Sequence, residues 1–160
     1  MVSVETIRAD AQPVPDLEDH LGYWLRRISN AVSGSFARSL QERRTSVAEW
    51  VVLRELYERG KAAPGKLADA LGLTRGAVSK IIDKLEAKDW IETGAKEGDH
   101  RYRLLSLSRA GRLNLPVLAQ IAEANEAAYF DCLNAKERAV LRELLIKLAV
   151  HHRIQDVPTK

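Results

Sequence analysis

The residues able to do chemistry in this chain are concentrated between Thr74 and Arg103. In T-R-G-A-V-S-K-I-I-D-K-L, Thr74 stands at the head, Arg75, Gly76, Ser79, Lys80, Asp83 and Lys84 recur on one side of a helical repeat, and Val78, Ile81, Ile82 and Leu85 on the other. An arginine on such an outward face can donate two parallel hydrogen bonds to the major-groove edge of a guanine. Polar and small residues at the head of the helix let it enter a groove. Downstream, G-D-H-R-Y-R supplies Asp99, His100, Arg101 and Arg103 in a loop and strand rich in charge. A guanidinium in such a loop suits the narrow, electronegative minor groove. Asp99 is ill suited to face a phosphate and better suited to an intraloop pair with Arg101. Lys66, Lys84 and Arg103 read as phosphate contacts or as solvated charges. Basic residues are commonly just solvated; their position on an outward helix face and in an adjoining loop is what points to double-stranded DNA.

Those residues need a scaffold, and the sequence spells one out. Pro64 suits the first turn of a short helix, where its missing N–H costs little. Leu67, Ala68 and Leu71 form that helix's inner face, and Gly72 supplies the turn. Thr74 then caps the next helix. Two strands follow, W-I-E-T and Y-R-L-L-S-L-S, on either side of the polar loop. Helix, tight turn, helix and strand pair together make a winged helix-turn-helix, expected over residues 45–107.

The flanks are helical as well. A long helix is expected from Asp16, a plausible cap with Asp19 three residues on, with an apolar stripe of Leu17, Leu21, Trp24, Leu25, Ile28, Val32 and Phe36 ending at the basic run before Thr45. Ser46 and Glu49 form a capping box opening a second helix, with Trp50, Leu53, Leu56 and Tyr57 on one face and Gly60 as its stop. Ser108 caps a fifth helix in which Pro116 predicts a kink or break. Asn134 and Glu137 open the last helix, with Val140, Leu141, Leu144, Leu145 and Leu148 on one face. Each buried aliphatic side chain is worth about 1.5–3 kcal/mol. Stripes flanking a reading unit therefore suggest that residues 16–44 and 108–152 are helical dimerisation regions pairing with a second copy; a closed monomeric bundle is the alternative. Residues 1–15 read as a flexible arm and 153–160 as a frayed tail. The fold class is mainly α with a small β-wing.

Composition sets the outer bounds. Hydrophobic residues make up 46% and charged residues 29% of the 160, the balance of a folded chain. The net charge of +3 allows a local basic patch without demanding one. One cysteine, Cys132, leaves no disulfide framework and no cysteine-based zinc site. Neither a secretory signal nor a bilayer-spanning apolar run is present, so the cytoplasm is the expected location, with no membrane partner. No nucleophile elbow, phosphate-binding glycine loop or H-E-x-x-H motif occurs, so neither catalytic residues nor cofactors are expected. The adjacent His151 and His152 are expected to diverge on a helix and to bind no metal.

L-A-D-A-L-G-L-T-R-G-A-V-S-K-I-I-D-K-L-E-A-K-D-W-I-E, the wing D-H-R and the following L-S-L-S-R-A-G, set between long flanking helices, resemble the MarR family of bacterial transcription regulators. The resemblance covers roughly residues 17–150. It implies a homodimer whose recognition helices enter adjacent major grooves, carrying Thr74, Arg75, Gly76, Ser79 and Lys80, while Arg101 enters the minor groove braced by Asp99. His100 stands where the family often has a basic residue, and Pro116 in a normally continuous helix. Many members hold small aromatic or phenolic effectors in a crevice, for which His20, Trp24 and Trp50 offer aromatic walls and a polar group; the alternative is that they are core. Some members sense oxidants by thiol chemistry, yet Cys132 lies far from the first helix and beside Asp131, which disfavours a reactive thiolate. The function implied is a ligand-responsive, sequence-specific regulator, a repressor on a pseudo-palindromic operator. A protein-docking winged helix and a low-specificity architectural DNA-binding protein are the rival readings.

Overall fold

In the computed structural model, residues 14–96, 99–155 and 157–159 are described, with the side chains of 95–102 outside the description. The expected arm therefore falls, up to residue 13, outside the described residues. The chain divides between Ala31 and Val32 into two compact units.

The first unit holds a 3-10 turn, Leu17–Asp19, and the first part of helix α1, Leu21–Glu42. The long helix thus starts at Leu21 and not at Asp16. Asp19 N–H donates to the Asp16 carbonyl at 3.1 Å and His20 N–H to the Leu17 carbonyl at 3.2 Å, closing a separate turn. The Glu18 carbonyl, which a continuous helix would offer to Gly22, instead accepts the Trp24 indole N–H at 2.8 Å. His20 is left extended (φ −96°, ψ 120°), and α1 begins after it.

In the second unit the capping box forms as expected. Ser46 Oγ accepts from Glu49 N–H at 3.2 Å and Glu49 Oε2 from Ser46 N–H at 2.7 Å, opening α2, Val47–Arg59. Gly60, at φ +74°, ends it. A two-residue strand absent from the sequence reading follows, β1, Lys61–Ala62. Then come α3, Pro64–Leu71, a left-handed Gly72 (φ +62°), and α4, Arg75–Ala87. The wing is β2, Ile91–Lys96, and β3, Asp99–Leu107. β3 is central in an antiparallel sheet of order β1-β3-β2, with Lys61 opposite Ser106 and Ile91 opposite Leu107.

Helix α5, Arg109–Phe130, runs unbroken through Pro116. Of the kink or break expected, the break does not occur: proline removes one hydrogen bond, while Leu115 and Leu118 on either side of it are buried and hold the helix down. Helix α6, Ala135–His151, opens with the Asn134–Glu137 capping box and has no buried residue. The core joins α1, α2, α3, α4, β3 and α5: Leu40, Leu53, Leu56, Leu67, Val78, Ile82, Leu85, Leu105 and Leu118 are essentially inaccessible. Beyond α6 the chain is irregular, yet Val157 packs against the core, so the segment expected to fray is held there. No helix among the described residues is long and apolar enough to cross a membrane.

Candidate nucleic-acid interface

Helix α4 presents two faces of opposite character. Val78, Ile81, Ile82 and Leu85 are buried, the four positions expected, while Thr74, Arg75, Gly76, Ser79, Lys80 and Lys84 are exposed. Thr74 Oγ1 accepts the Ala77 N–H at 3.2 Å, fixing where the helix begins and so which side chains occupy its first turn. A side chain added at Gly76 would meet nothing within 4 Å, so the protein itself leaves open space there. Arg75, Lys80 and Lys84 make no ion pair among the described residues. Elsewhere, Arg54, Arg59, Lys88, Arg103 and Arg138 are all paired. These three cations thus share the outward face of one helix, and the positive end of its dipole adds to the field at Arg75.

The wing is braced against that helix. Glu86, the penultimate residue of α4, accepts the Thr93 hydroxyl of β2 at 2.6 Å and pairs with the Arg103 guanidinium of β3, whose Nε also reaches Thr93 Oγ1 at 3.2 Å. These hydrogen bonds and the Arg103 charge hold the Glu86 carboxyl below its ordinary range. Arg103, expected as a DNA contact, is therefore engaged within the protein while remaining half exposed. The backbones of Asp99, His100 and Arg101 lie in β3; their side chains fall outside the described residues, as does the expected Asp99–Arg101 pair.

Two further contacts position α4 and were not foreseen. Lys88, at its C-terminal end, donates to Glu49 Oε1 at 2.6 Å and to the Arg44 carbonyl at 2.7 Å. Burial pushes the Glu49 carboxyl up, but hydrogen bonds from Lys88 and Ser46, with the Lys88 charge, outweigh it and hold the group below the usual range. At the foot of the wing, Trp90 carbonyl accepts the Ser108 N–H at 3.1 Å, and Ser108 Oγ accepts the Gly111 N–H at 3.0 Å, seating α5 against the strand. The Ser46–Glu49 spacing was a signal for the cap. Nothing in the sequence signals that Glu49 has a second partner so far along the chain.

The three residues expected at an effector crevice are divided between the two units. His20 and Trp24 belong to the first unit, where Trp24 packs edge-on to Tyr23 at 5.5 Å with the Arg27 guanidinium 5.5 Å from its ring. Trp50 belongs to the second unit. It meets Phe36 edge-on at 6.3 Å and borders a cleft of about 220 Å³ with Ser33, Phe36, Val47, Val51, Val157 and Pro158. Cys132 is an exposed free thiol whose Sγ lies 3.7 Å from the Tyr129 carbonyl. His151 and His152 do not diverge: the rings meet edge-on at 4.8 Å, because His152 lies one residue beyond the helix end. Among the described residues no group of three or more side chains could hold a metal ion.

Comparison with known proteins agrees with this geometry. The MarR family model matches residues 45–102, from the start of α2 to the wing. The HTH-type transcriptional repressor NicR of Pseudomonas putida is 22% identical over 133 residues, 83% of this chain and 84% of that protein. A mutant MarR from E. coli, solved in complex with operator DNA, superposes with a TM-score of 0.69 at 23% identity, covering 80% of this chain and 92% of the other. BpsR of Bordetella bronchiseptica, solved in a study of how 6-hydroxynicotinic acid regulates its DNA binding, gives 0.72 at 23% identity, covering 86% and 98%. With an α3-turn-α4 unit, a three-stranded sheet that carries the wing, and long flanking helices, this chain is similar to the MarR family, whose model it matches over residues 45–102.

Proposed function

We propose that the chain is a homodimeric, sequence-specific transcriptional regulator, a repressor that binds a pseudo-palindromic operator and is released by a small aromatic effector. The observation that carries it is the outward face of α4, where Arg75, Ser79 and Lys80 are exposed and Arg75 and Lys80 are unpaired. Relatives named as HTH-type transcriptional regulators, and a structural neighbour bound to operator DNA, support the same reading. A bacterial regulator of this kind works in the cytoplasm, at the chromosome, and its chemistry is binding without catalysis or a cofactor.

Thr74, Arg75, Gly76, Ser79 and Lys80 would lie at base edges and Lys84 at phosphate, with Asp99, His100 and Arg101 carried by the wing. Arg103, held by Glu86, would act mainly by bracing the wing. Duplexes selected from a random DNA pool by the intact protein test this. Arg75→Ala is expected to weaken binding to the selected duplex about 10–100-fold while changing binding to unrelated DNA far less, since a base-edge contact is worth about 1–3 kcal/mol of discrimination. Equal loss on both would move Arg75 to phosphate. Uniform binding by the wild type would favour an architectural protein, and absence of binding a protein-docking role.

The cleft beside Trp50 is the effector site we propose. At about 220 Å³ it is below the roughly 300–1,000 Å³ typical of drug-sized ligands and closer to the roughly 150 Å³ that holds a benzene ring. A single-ring compound fits, and 6-hydroxynicotinic acid, the regulator of the BpsR neighbour, is of that size class. That acid, or benzoate, is expected to quench tryptophan fluorescence and to lower operator affinity over one concentration range, as reciprocal linkage demands. Trp50→Phe should weaken the ligand while DNA binding without it stays near wild type. A melting temperature that falls with no ligand response would return Trp50 to the core.

A further inference from the structure

The end of α4 remote from its exposed first turn is tied to the link that joins α1 to α2. That link, residues 43–46, has a defined local geometry. Arg44 adopts a left-handed conformation (φ +53°), Thr45 is fully buried, and Thr45 Oγ1 donates to the Arg43 carbonyl at 3.1 Å. Into it reaches one ammonium group. Lys88 Nζ donates to the Arg44 carbonyl and to Glu49 Oε1, and stands 5.0 Å from the centre of the Trp90 ring. Glu49 is 3% exposed, and its second oxygen is already committed to the Ser46 N–H.

Each partner is specified by the others. Glu49 needs a cation because it is charged and out of water, and the Arg44 carbonyl faces α4 because of its unusual backbone. An apolar contact between α4 and the link would tolerate sliding, since dispersion has little directionality. A short, charge-assisted set of hydrogen bonds holds one geometry. Buried ion pairs add little stability over apolar residues of similar volume, and their attested use is in specifying an arrangement.

We propose that Lys88 is a positioning residue, a latch that sets the angle between α4 and the end of α1 and carries movement at the α1–α2 link to the DNA-reading helix. This rests on the reading of α4 as that helix. Lys88 caps the C-terminal end of α4, more than two turns beyond Lys80, and its ammonium is committed to the link, so it would act through α4 and not by touching DNA.

Spin labels at Arg38→Cys on α1 and Asp83→Cys on α4, in a Cys132→Ser background, read the angle directly. Both positions are exposed and lie in the second unit. The labelled chain is diluted with unlabelled chain so that only distances within one chain are measured. With Lys88 intact a single narrow distance is expected; with Lys88→Met the distribution should broaden or shift at temperatures where circular dichroism shows the fold intact. Retention of the selected duplex should fall about tenfold, a usual size for coupling between sites. Glu49→Gln, which keeps the side-chain shape, should give the same broadening and carries the test if Lys88→Met does not fold. An unchanged distance with only a lower melting temperature overturns the latch and leaves Lys88 a structural residue. If the distances behave as expected but the wild type retains no duplex, the latch stands and the DNA reading of α4 falls.

Discussion

Gly111→Ala is expected to destabilise the protein by about 3 kcal/mol or more, at or above the upper end of ordinary overpacking. A Cβ at that position would sit 2.0 Å from the Trp90 carbonyl oxygen and 2.9 Å from its carbon. Neither side can yield cheaply. The Trp90 carbonyl is held by the Ser108 N–H, and Gly111 is held in the first turn of α5 by Ser108 Oγ. For a chain of this length the melting temperature should drop by roughly 6–12 °C. Gly76→Ala makes the natural control. Its added methyl enters open space on an exposed helix face, so stability should rise by roughly 0.5–1 kcal/mol. The same methyl would stand between α4 and a groove, so operator affinity should fall as stability rises. Chemical denaturation of the two variants checks the pair, and similar melting for both would remove the close approach at Gly111.

A charge on α6 is expected to separate the dimer without unfolding the chain. The helix has no buried residue, and Leu144 and Leu148 are about half exposed along with Val140, Leu141 and Leu145. On α1, Leu21 is 87% exposed and Leu25 and Ile28 about half. Helices this long and this apolar on one side, left uncovered in a single chain, are expected where a second copy supplies the cover. Leu144→Glu occurs twice in a symmetric pair. Losing two leucine burials at about 1.5–3 kcal/mol each, before any cost of the charge, weakens association by about a hundredfold or more. Light scattering should move from twice the 17.9 kDa chain mass toward the single mass, with helical content preserved. A wild type already at the single mass would sink the dimer and, with it, the two-half-site operator.

What was legible in the sequence was local. The Ser46–Glu49 and Asn134–Glu137 boxes, Pro64 at a first turn, Gly60 and Gly72 past helix ends and the four inner positions of α4 all follow from residues within a turn or two of each other. Helix α4, and with it the exposed positions of Thr74, Arg75, Ser79 and Lys80, came out whole for that reason. Features set by distant partners did not. β1 is too short to show a period of two, and it exists because β3 offers it an edge. The 3-10 turn before α1 depends on the Trp24 indole taking a carbonyl that helix propensity would assign elsewhere. Pro116 was weighed by its intrinsic effect, which burial on both sides overrides. Arg103 looked like any outward cation until Glu86 and Thr93 were brought beside it, and the partnership of Glu49 with Lys88 likewise depends on the folded chain.

The small strand also bears on how the protein folds. β1 comes just before α3 and β3 closes after α4, so pairing Lys61 with Ser106 encloses the whole turn-helix unit in a loop. The contacts between α3 and α4 join near neighbours and can form early, whereas this pairing waits for the wing to be made and for the entropy of a long loop to be overcome. Substitutions at Ala62 or Leu105, both buried where the loop is sealed, should then act mostly on the rate at which the native state opens. Substitutions in the α3–α4 pair should act mostly on the rate at which it forms. The lifetime of the folded turn-helix unit would thus be governed by a seam two residues long.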